Sequence, residues 1–332
     1  MKVIVDAYGG DNAPLEILKG SAMASKELDV EIILCGKIND IKECAAQNHI
    51  DISKMEIVDA PDVIETCGNP RDIIKNSEKS SMAMGLKALA AGRGDAFVSA
   101  GSTGALVMGS TFYVKRIKGV KRAALAAIMP SDTVPFMLMD CGANIECTAE
   151  TLALFAVMGS IYMSKVQGVS NPRVGLANIG TEESKGGALQ KEAFALLKSD
   201  PKINFVGNVE ARDVPFGVAD VVISDGFSGN ILLKTYEGAA EAIMKNIKKI
   251  FTKNLLTKIS ALAVKSGVME FKKKMDYTEF GGAPLMGIRK PVIKAHGSSN
   301  AKAIKNAIKQ ACIYSEQDVI TTITENLPQN IN

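Results

Sequence analysis

Six short segments of the chain set glycine beside acid, amide or hydroxyl side chains. They are Asp6-Ala7-Tyr8-Gly9-Gly10-Asp11, Ser99-Ala100-Gly101-Ser102-Thr103-Gly104, Asp140-Cys141-Gly142-Ala143-Asn144, Asn178-Ile179-Gly180-Thr181-Glu182-Glu183, Asp225-Gly226-Phe227-Ser228-Gly229-Asn230 and His296-Gly297-Ser298-Ser299-Asn300. Glycine lets backbone N–H groups approach a ligand closely, and a following helix start offers more of them, so each segment suits an anion. Any one alone is equally an ordinary tight connection, with glycine at positive φ and Asp, Ser or Asn capping the next helix. Six together, each with a polar neighbour, point to the handling of phosphate-like charge. Other chemistries lose support: no G-x-G-x-x-G follows a strand, and neither G-x-x-x-x-G-K-[ST] nor G-x-S-x-G occurs. The two histidines, His49 and His296, come with no nucleophile and acid in sequence, which gives no sign of a covalent acyl-enzyme.

The elements that must position these turns read as alternating strands and helices. Short β-rich runs at Lys2 to Asp6, Glu31 to Leu34, Met55 to Val58, Ala96 to Ser99, Phe136 to Met139, Arg173 to Ala177, Asn204 to Val206 and Val221 to Ile223 are separated by helical patterns. The helical patterns lie at Leu15 to Glu27, Ser80 to Ala91, Ala149 to Met163, Lys185 to Leu197 and Ala301 to Ala311. This alternation predicts an α/β fold, a mostly parallel sheet in a three-layer α/β/α arrangement with the turns beyond its strand ends. All six turns are expected on one rim of that sheet, forming one cleft. No repeat, low-complexity tract or long linker divides the chain, so residues 1–332 are expected to form one catalytic unit.

Composition narrows the classes. The chain has 332 residues, 47% of them hydrophobic, enough for a substantial core. A net charge of +3 does not call for nucleic acid. Six cysteines (Cys35, Cys44, Cys67, Cys141, Cys147 and Cys312) without a C-x-x-C pair suggest a reducing cytoplasm, and no metal site is expected. The start MKVIVDAYGG reads as a strand and not as a leader peptide. No apolar run reaches the length of a membrane-spanning helix.

The segments DAYGGDNAP, SAGSTGAL, DCGANIEC, NIGTEESKG, NVEARDVPFG, ADVVISDGFSGNILLKTYEG, FGGAPLMG and AHGSSNAKAIKNAI, in this order from Lys2 to about Glu316, resemble the PlsX family of bacterial phosphate acyltransferases. The resemblance implies an isocitrate- or isopropylmalate-dehydrogenase-like α/β/α fold and a homodimer. It also implies transfer of a fatty acyl chain from acyl carrier protein to inorganic phosphate, giving acyl phosphate for phospholipid synthesis without a cofactor. A glycerol-3-phosphate acyltransferase would then take the product. Ser102 stands where asparagine is common in that family, and Gly187 where asparagine often follows, so an amide contact is absent at each.

Within that frame Lys185, expected at a helix start, is the candidate cation for phosphate or oxyanion; outside it, Lys185 is a solvated lysine paired with Glu182 or Glu183. Asn230 is the candidate oxyanion donor, and a plain helix cap would look the same. His296 and Ser298 suit phosphate contacts, and a satisfied histidine is the alternative. Gly9, Gly10, Gly101, Ser102, Thr103, Gly180, Gly226 and Gly229 complete the expected substrate-binding set, while Asp6, Asp11, Asp140 and Asn144 are expected to orient the turns.

Residues 245–274 carry nine lysines against one acid, Glu270, a local charge of +8. Ile247, Ile250, Phe251, Leu255, Ile259 and Leu262 recur at three- and four-residue spacing, which predicts an amphipathic helical segment with cationic flanks. Such a helix packs in a core or dimer, lies on an anionic membrane surface at the inner face of the cell membrane, or receives an acidic acyl carrier protein. Three other functions remain open at this point. They are a phosphotransacetylase-like enzyme using a short acyl-CoA, a dehydrogenase on a similar fold, and a silent lipid- or carrier-binding scaffold.

Overall fold

The apolar runs become strands because each sends alternate side chains into two separate covers of helices. A computed structural model describes residues 1–65, 68–274 and 280–327; Cys67 lies outside them. The strands are β1 (Lys2–Asp6), β2 (Glu31–Gly36), β3 (Glu56–Asp59), β4 (Ala96–Ser99), β5 (Ala124–Met129), β6 (Phe136–Met139), β7 (Arg173–Asn178), β8 (Asn204–Glu210), β9 (Val221–Ile223), β10 (Ala283–Met286) and β11 (Val292–Lys294). The helices are α1 (Leu15–Glu27), α2 (Ile38–Gln47), α3 (Asp72–Lys75), α4 (Ser81–Ala90), α5 (Thr103–Gly109), α6 (Ala149–Gln167), α7 (Ala188–Ser199), α8 (Gly226–Thr252), α9 (Leu255–Lys274), α10 (Ala301–Glu316) and α11 (Val319–Asn326).

The strands form one sheet in the order β3-β2-β1-β4-β11-β10-β5-β6-β9-β7-β8. Seven of its ten neighbouring pairs are parallel, as expected. The three antiparallel pairs, β11–β10, β10–β5 and β5–β6, are consecutive in the middle. Three reversals in a row leave β6, β9, β7 and β8 running opposite to β1, β4 and β11. The six glycine turns therefore do not share one rim, which corrects the sequence expectation: those after β1, β4 and β11 lie at one rim, those after β6, β9 and β7 at the other.

Alternation assigns the core. Val3, Val5, Ile32, Leu34, Ala124, Ala126, Ile128, Met137 and Met139 face a cluster with α1, α6, α10 and α11. On the opposite face, Ile4, Ile33, Phe97 and Val292 pack with α4 and α5. Further along that face, Leu125, Ala127, Met129, Phe136, Leu138 and Val222 pack beneath α8. Helices thus cover both faces.

Two helix starts differ from expectation. Lys185 does not begin a helix; α7 starts at Ala188 after Gly187, whose N–H is held by the Gln190 side chain. Asn230 caps nothing: the cap of α8 is Asp225, whose carboxylate accepts from Ser228 N at 2.7 Å, and Asn230 sits in the second turn.

The start of α8 rests directly on backbone. A Cβ added at Gly229 would collide with the Asp140 carbonyl oxygen, whereas one at Gly238, farther along the same helix, meets nothing within 4 Å. Gly229→Ala is therefore expected to lower stability by about 1–3 kcal/mol through overpacking. Gly238→Ala is expected to raise it by about 0.5–1 kcal/mol through helix propensity. Urea midpoints of the two variants check both signs.

Candidate active site

Each rim has its own scaffold of buried hydrogen bonds. At the first, the buried Asp6 carboxylate accepts from Ser99 Oγ at 2.6 Å and from Tyr8 N, and Ser99 Oγ in turn accepts from Gly101 N at 3.0 Å. Gly9 is pressed against the second turn, since a Cβ there would lie 2.6 Å from Gly101 N. Asp11 N donates to Gly297 O at 2.8 Å, which ties in the third. Burial pushes the Asp6 carboxyl above its usual value, and the serine hydroxyls draw it back.

At the second rim Asp140 does the equivalent work. It is fully buried and accepts five donors: Leu125 N, Gly142 N and Ala143 N on Oδ1, Asn144 N and Asn144 Nδ2 on Oδ2. Asn144 Nδ2 also donates to Ala123 O at 2.7 Å, so this amide is committed to the turn. Burial raises the Asp140 carboxyl above its ordinary value against the pull of those donors. Gly226 N donates to Asn144 O at 2.7 Å, which seats α8 on the turn. Asp6, Asp140 and Asn144 thus hold backbone and touch no open space.

Between the rims, under α8 and over β5, lies a cavity of about 300 Å³, at the lower end of ligand-site volumes. Leu125, Ala127, Met129, Leu233 and Ala283 give it an apolar wall. Asn230, Leu233, Lys234 and Glu237 recur on one face of α8 and run along the cavity for about 10 Å at the helical rise. Gly142 and Asn230 stand at its second-rim end; Thr103, Lys294, His296 and Ser299 belong to the first.

Of the residues expected from sequence, Thr103, Asn230 and His296 line this cavity. The Asn230 side chain is exposed and has no hydrogen-bond partner in the protein among the described residues. Ser298 N donates to His296 Nδ1 at 3.2 Å, making that nitrogen an acceptor, so the neutral ring carries its proton on Nε2. Burial, and next the charge of Lys234, lower the His296 pKa and favour that neutral form. Ser298 itself faces outward beside the histidine.

Lys185, Gly180, Gly226 and Gly229 are not in the wall, nor are Gly9, Gly10, Asp11, Gly101 and Ser102. Lys185 lies in the loop after β7, half exposed, with Nζ 3.8 Å from Glu182 Oε1 and its stem across Gly180. That loop neighbours the β9 turn from which α8 and Asn230 arise. Lys294, Lys234 and Glu237 were not singled out from sequence. Lys294 alone carried a signal, a cation ending an apolar strand two residues before His296. Lys234 and Glu237 form an ion pair at 2.7 Å, one helical turn beyond Asn230. Among the described residues no group of three or more His, Cys, Asp or Glu could hold a metal.

A family model described as "Fatty acid synthesis protein" matches residues 1–322. The phosphate acyltransferase of Caldanaerobacter subterraneus subsp. tengcongensis is 48% identical over 98% of this chain and 97% of its own length. That of Thermoanaerobacter pseudethanolicus is 47% identical with the same coverage. Among solved structures, a phosphotransacetylase from Streptococcus pyogenes superposes with a TM-score of 0.65 over 95% of this chain and 94% of its own, at 18% identity, a likeness of fold.

Two residues at the second rim predict different stability effects. Asp140→Ala orphans five donors and is expected to cost more than about 3 kcal/mol, read from the urea midpoint. Asn230→Ala removes no protein hydrogen bond among the described residues and is expected to leave stability unchanged or raised by up to about 0.7 kcal/mol.

Proposed function

We propose, since this chain belongs to the fatty acid synthesis protein family, that the acyl group it joins to inorganic phosphate is delivered as an acyl carrier protein thioester. Acyl transfer to phosphate is the activity for which its relatives at 46–48% identity are named, and it makes the chain a transferase. A phosphate oxygen attacks the thioester carbonyl carbon, an oxyanion forms, and the C–S bond breaks. The thiolate then leaves and takes up the proton that the hydrogen phosphate gives up, with acyl phosphate as the other product. Both reactants arrive activated, so the protein has to align them, stabilise the oxyanion and keep water from the mixed anhydride.

The observation that carries this reading is Asn230: an unpartnered amide held by a rigid helix at the end of an apolar-walled cavity. Its Nδ2 donates to the oxyanion, and Lys185, in the neighbouring loop, lends positive charge at the same rim. Thr103 and His296 border the same space from the other side. The apolar wall over β5 excludes water and takes the start of the acyl chain.

The basic arm supports a carrier-bound donor. No side chain of α9 is buried, and Leu255, Leu256 and Leu262 are 72–76% exposed among the lysines. In the chain as it stands, therefore, the core-packing alternative for this segment does not occur. An acidic acyl carrier protein and an anionic membrane surface both fit such a face, at the cytoplasmic side of the cell membrane. No described helix is long and apolar enough to cross a membrane. Ile145, Ile179, Phe227 and Ile231, all more than half exposed around the second-rim turns, make a surface for a second copy in a homodimer. Acyl phosphate is readily hydrolysed, which favours direct consumption by a glycerol-3-phosphate acyltransferase.

Purified protein, phosphate and a series of donors from short acyl-CoA to long acyl carrier protein thioester test the reading, with acyl phosphate trapped as hydroxamate. Product is expected from carrier-bound chains, and none from any donor would overturn it. Asn230→Ala and Lys185→Ala are each expected to lower kcat/KM by about a hundredfold or more, the loss of one oxyanion donor or charge. The double variant Lys258→Glu, Lys265→Glu is expected to raise KM for the carrier-bound donor several-fold at low salt only, with phosphate KM unchanged.

A further inference from the structure

Lys294 ends β11 with its side chain in the cavity wall, half-buried beside the apolar strip of β5. An ammonium has three N–H donors. Two are used on neutral acceptors, the backbone carbonyls of Ala100, at 3.2 Å, and Ala295. No carboxylate lies within ion-pair distance of its Nζ among the described residues. Its companion in the wall differs, for Lys234 is already paired with Glu237. A cation kept in a half-buried cavity without a counter-ion is costly unless a ligand supplies the missing charge. Thr103 and His296 line the same end, so donors converge there from three segments of chain.

The spacing fits the two charges of the reaction. Asn230 and Lys294 belong to opposite ends of a cavity that follows α8 for about 10 Å. An oxyanion and a phosphate in line, each held by one hydrogen bond of about 2.9 Å, need a span of that order. We propose that Lys294 is the residue that binds the phosphate acceptor, its third N–H donating to a phosphate oxygen while Thr103 and His296 complete the cradle. This rests on the reading of the cavity as the site of acyl transfer, and it assigns the phosphate to the first rim and not to Lys185.

The charge on Lys294 also sets a pH limit. Burial first, and then Lys234, lower its pKa to about 8, with Asp6 and Asp11 pulling the other way. His296, Glu237 and the buried thiol of Cys141 are the remaining charged or titratable groups in the wall. In the free enzyme the ammonium is present below about pH 8 and lost above it, so phosphate capture weakens as pH rises through 8.

Initial rates against phosphate at saturating acyl carrier protein thioester, from pH 6.5 to 9.5, test this in wild type, Lys294→Met, Lys294→Arg and Lys185→Ala. Lys294→Met is expected to raise phosphate KM at least tenfold with the donor KM within twofold. Lys294→Arg is expected to recover part of that and to move the alkaline fall in kcat/KM for phosphate upward by about a unit or more. An unchanged phosphate KM in Lys294→Met overturns the proposal, as does a phosphate defect found in Lys185→Ala alone. Should both Lys294 variants fail to fold, wild type decides. Reductive methylation at pH 8 followed by peptide mass mapping is expected to show Lys294 protected by inorganic phosphate and not by chloride of equal ionic strength. Equal labelling with and without phosphate refutes the assignment. Protection in a protein that forms no acyl phosphate from any donor would leave this assignment standing and sink the acyl-transfer reading instead.

Discussion

The Asp140 carboxylate, removed from water and surrounded by five N–H donors, fixes more of this molecule than any other group. An ionised carboxyl so deep is tolerable only with nearly every lone pair occupied. Those donors come from both the turn after β6 and the start of β5, so satisfying the carboxylate locks one to the other. The turn in turn accepts Gly226 and admits the glycine side of α8, which is why a helix can begin almost in contact with the Asp140 carbonyl. The cavity is what remains between that helix and β5 once both have been seated by the same residue. Asp6 repeats the device at the other rim, through Ser99 and Gly101. Two buried acids, neither in the cavity wall, thus hold the backbone around it.

The eight strands read from sequence all exist, with ends within a few residues of their expected places, because each is a short β-branched or apolar run bounded by polar turns. The three that escaped are β5, β10 and β11. β5 is Ala-Leu-Ala-Ala-Ile-Met, half alanine, which has little strand preference even though all six residues are buried. β10 contains Pro284, and β11 follows Pro291, and proline argues against a strand in a central position. Pro284 is accommodated because β10 pairs with β11 and β5 over only two register positions each. These three strands contain every reversal of the sheet. Without them the two parallel halves look like one, and six turns look like one rim; with them, three turns fall at each rim, and four of the six, two from each rim, reach the cavity wall.

The same omission explains which site residues were legible. Asn230 and His296 stand in glycine-rich turns, where local sequence suggests a ligand. Lys294 ends β11, and although its place two residues before His296 is a signal, nothing local tells whether a lysine at a strand end points to solvent or into a cavity. Lys234 and Glu237 are two charges on a helix face, a pattern that elsewhere means a solvated ion pair; only the placement of α8 over β5 turns that face inward. Lys185 illustrates the converse. Its turn reads from sequence as a glycine-rich loop leading straight into a helix, but Gly186 at positive φ and Gly187 delay the helix to Ala188, so Lys185 takes no part in a helix N-terminus.

A cavity with an amide at one end, an unpaired ammonium at the other and aliphatic side chains between is well matched to a reaction whose charge moves along a line. Before transfer the negative charge sits on phosphate; as the new bond forms, it develops on the carbonyl oxygen. On the proposed assignment, fixed donors at both positions stabilise each stage without rearrangement, and the low-dielectric wall strengthens them. A nucleophilic side chain between them would add a step and bring no gain, since phosphate is already an ionised nucleophile and the thiolate of a thioester already a good leaving group. On the proposed reading the long basic arm uses the same electrostatics at greater range, attracting an acidic carrier toward the surface, while the half-buried Lys294 acts only on what has entered. That proposal gives encounter to the arm and chemistry to the cavity, and α8 belongs to both, with Asn230 in its second turn and the first lysines of the arm in its last three.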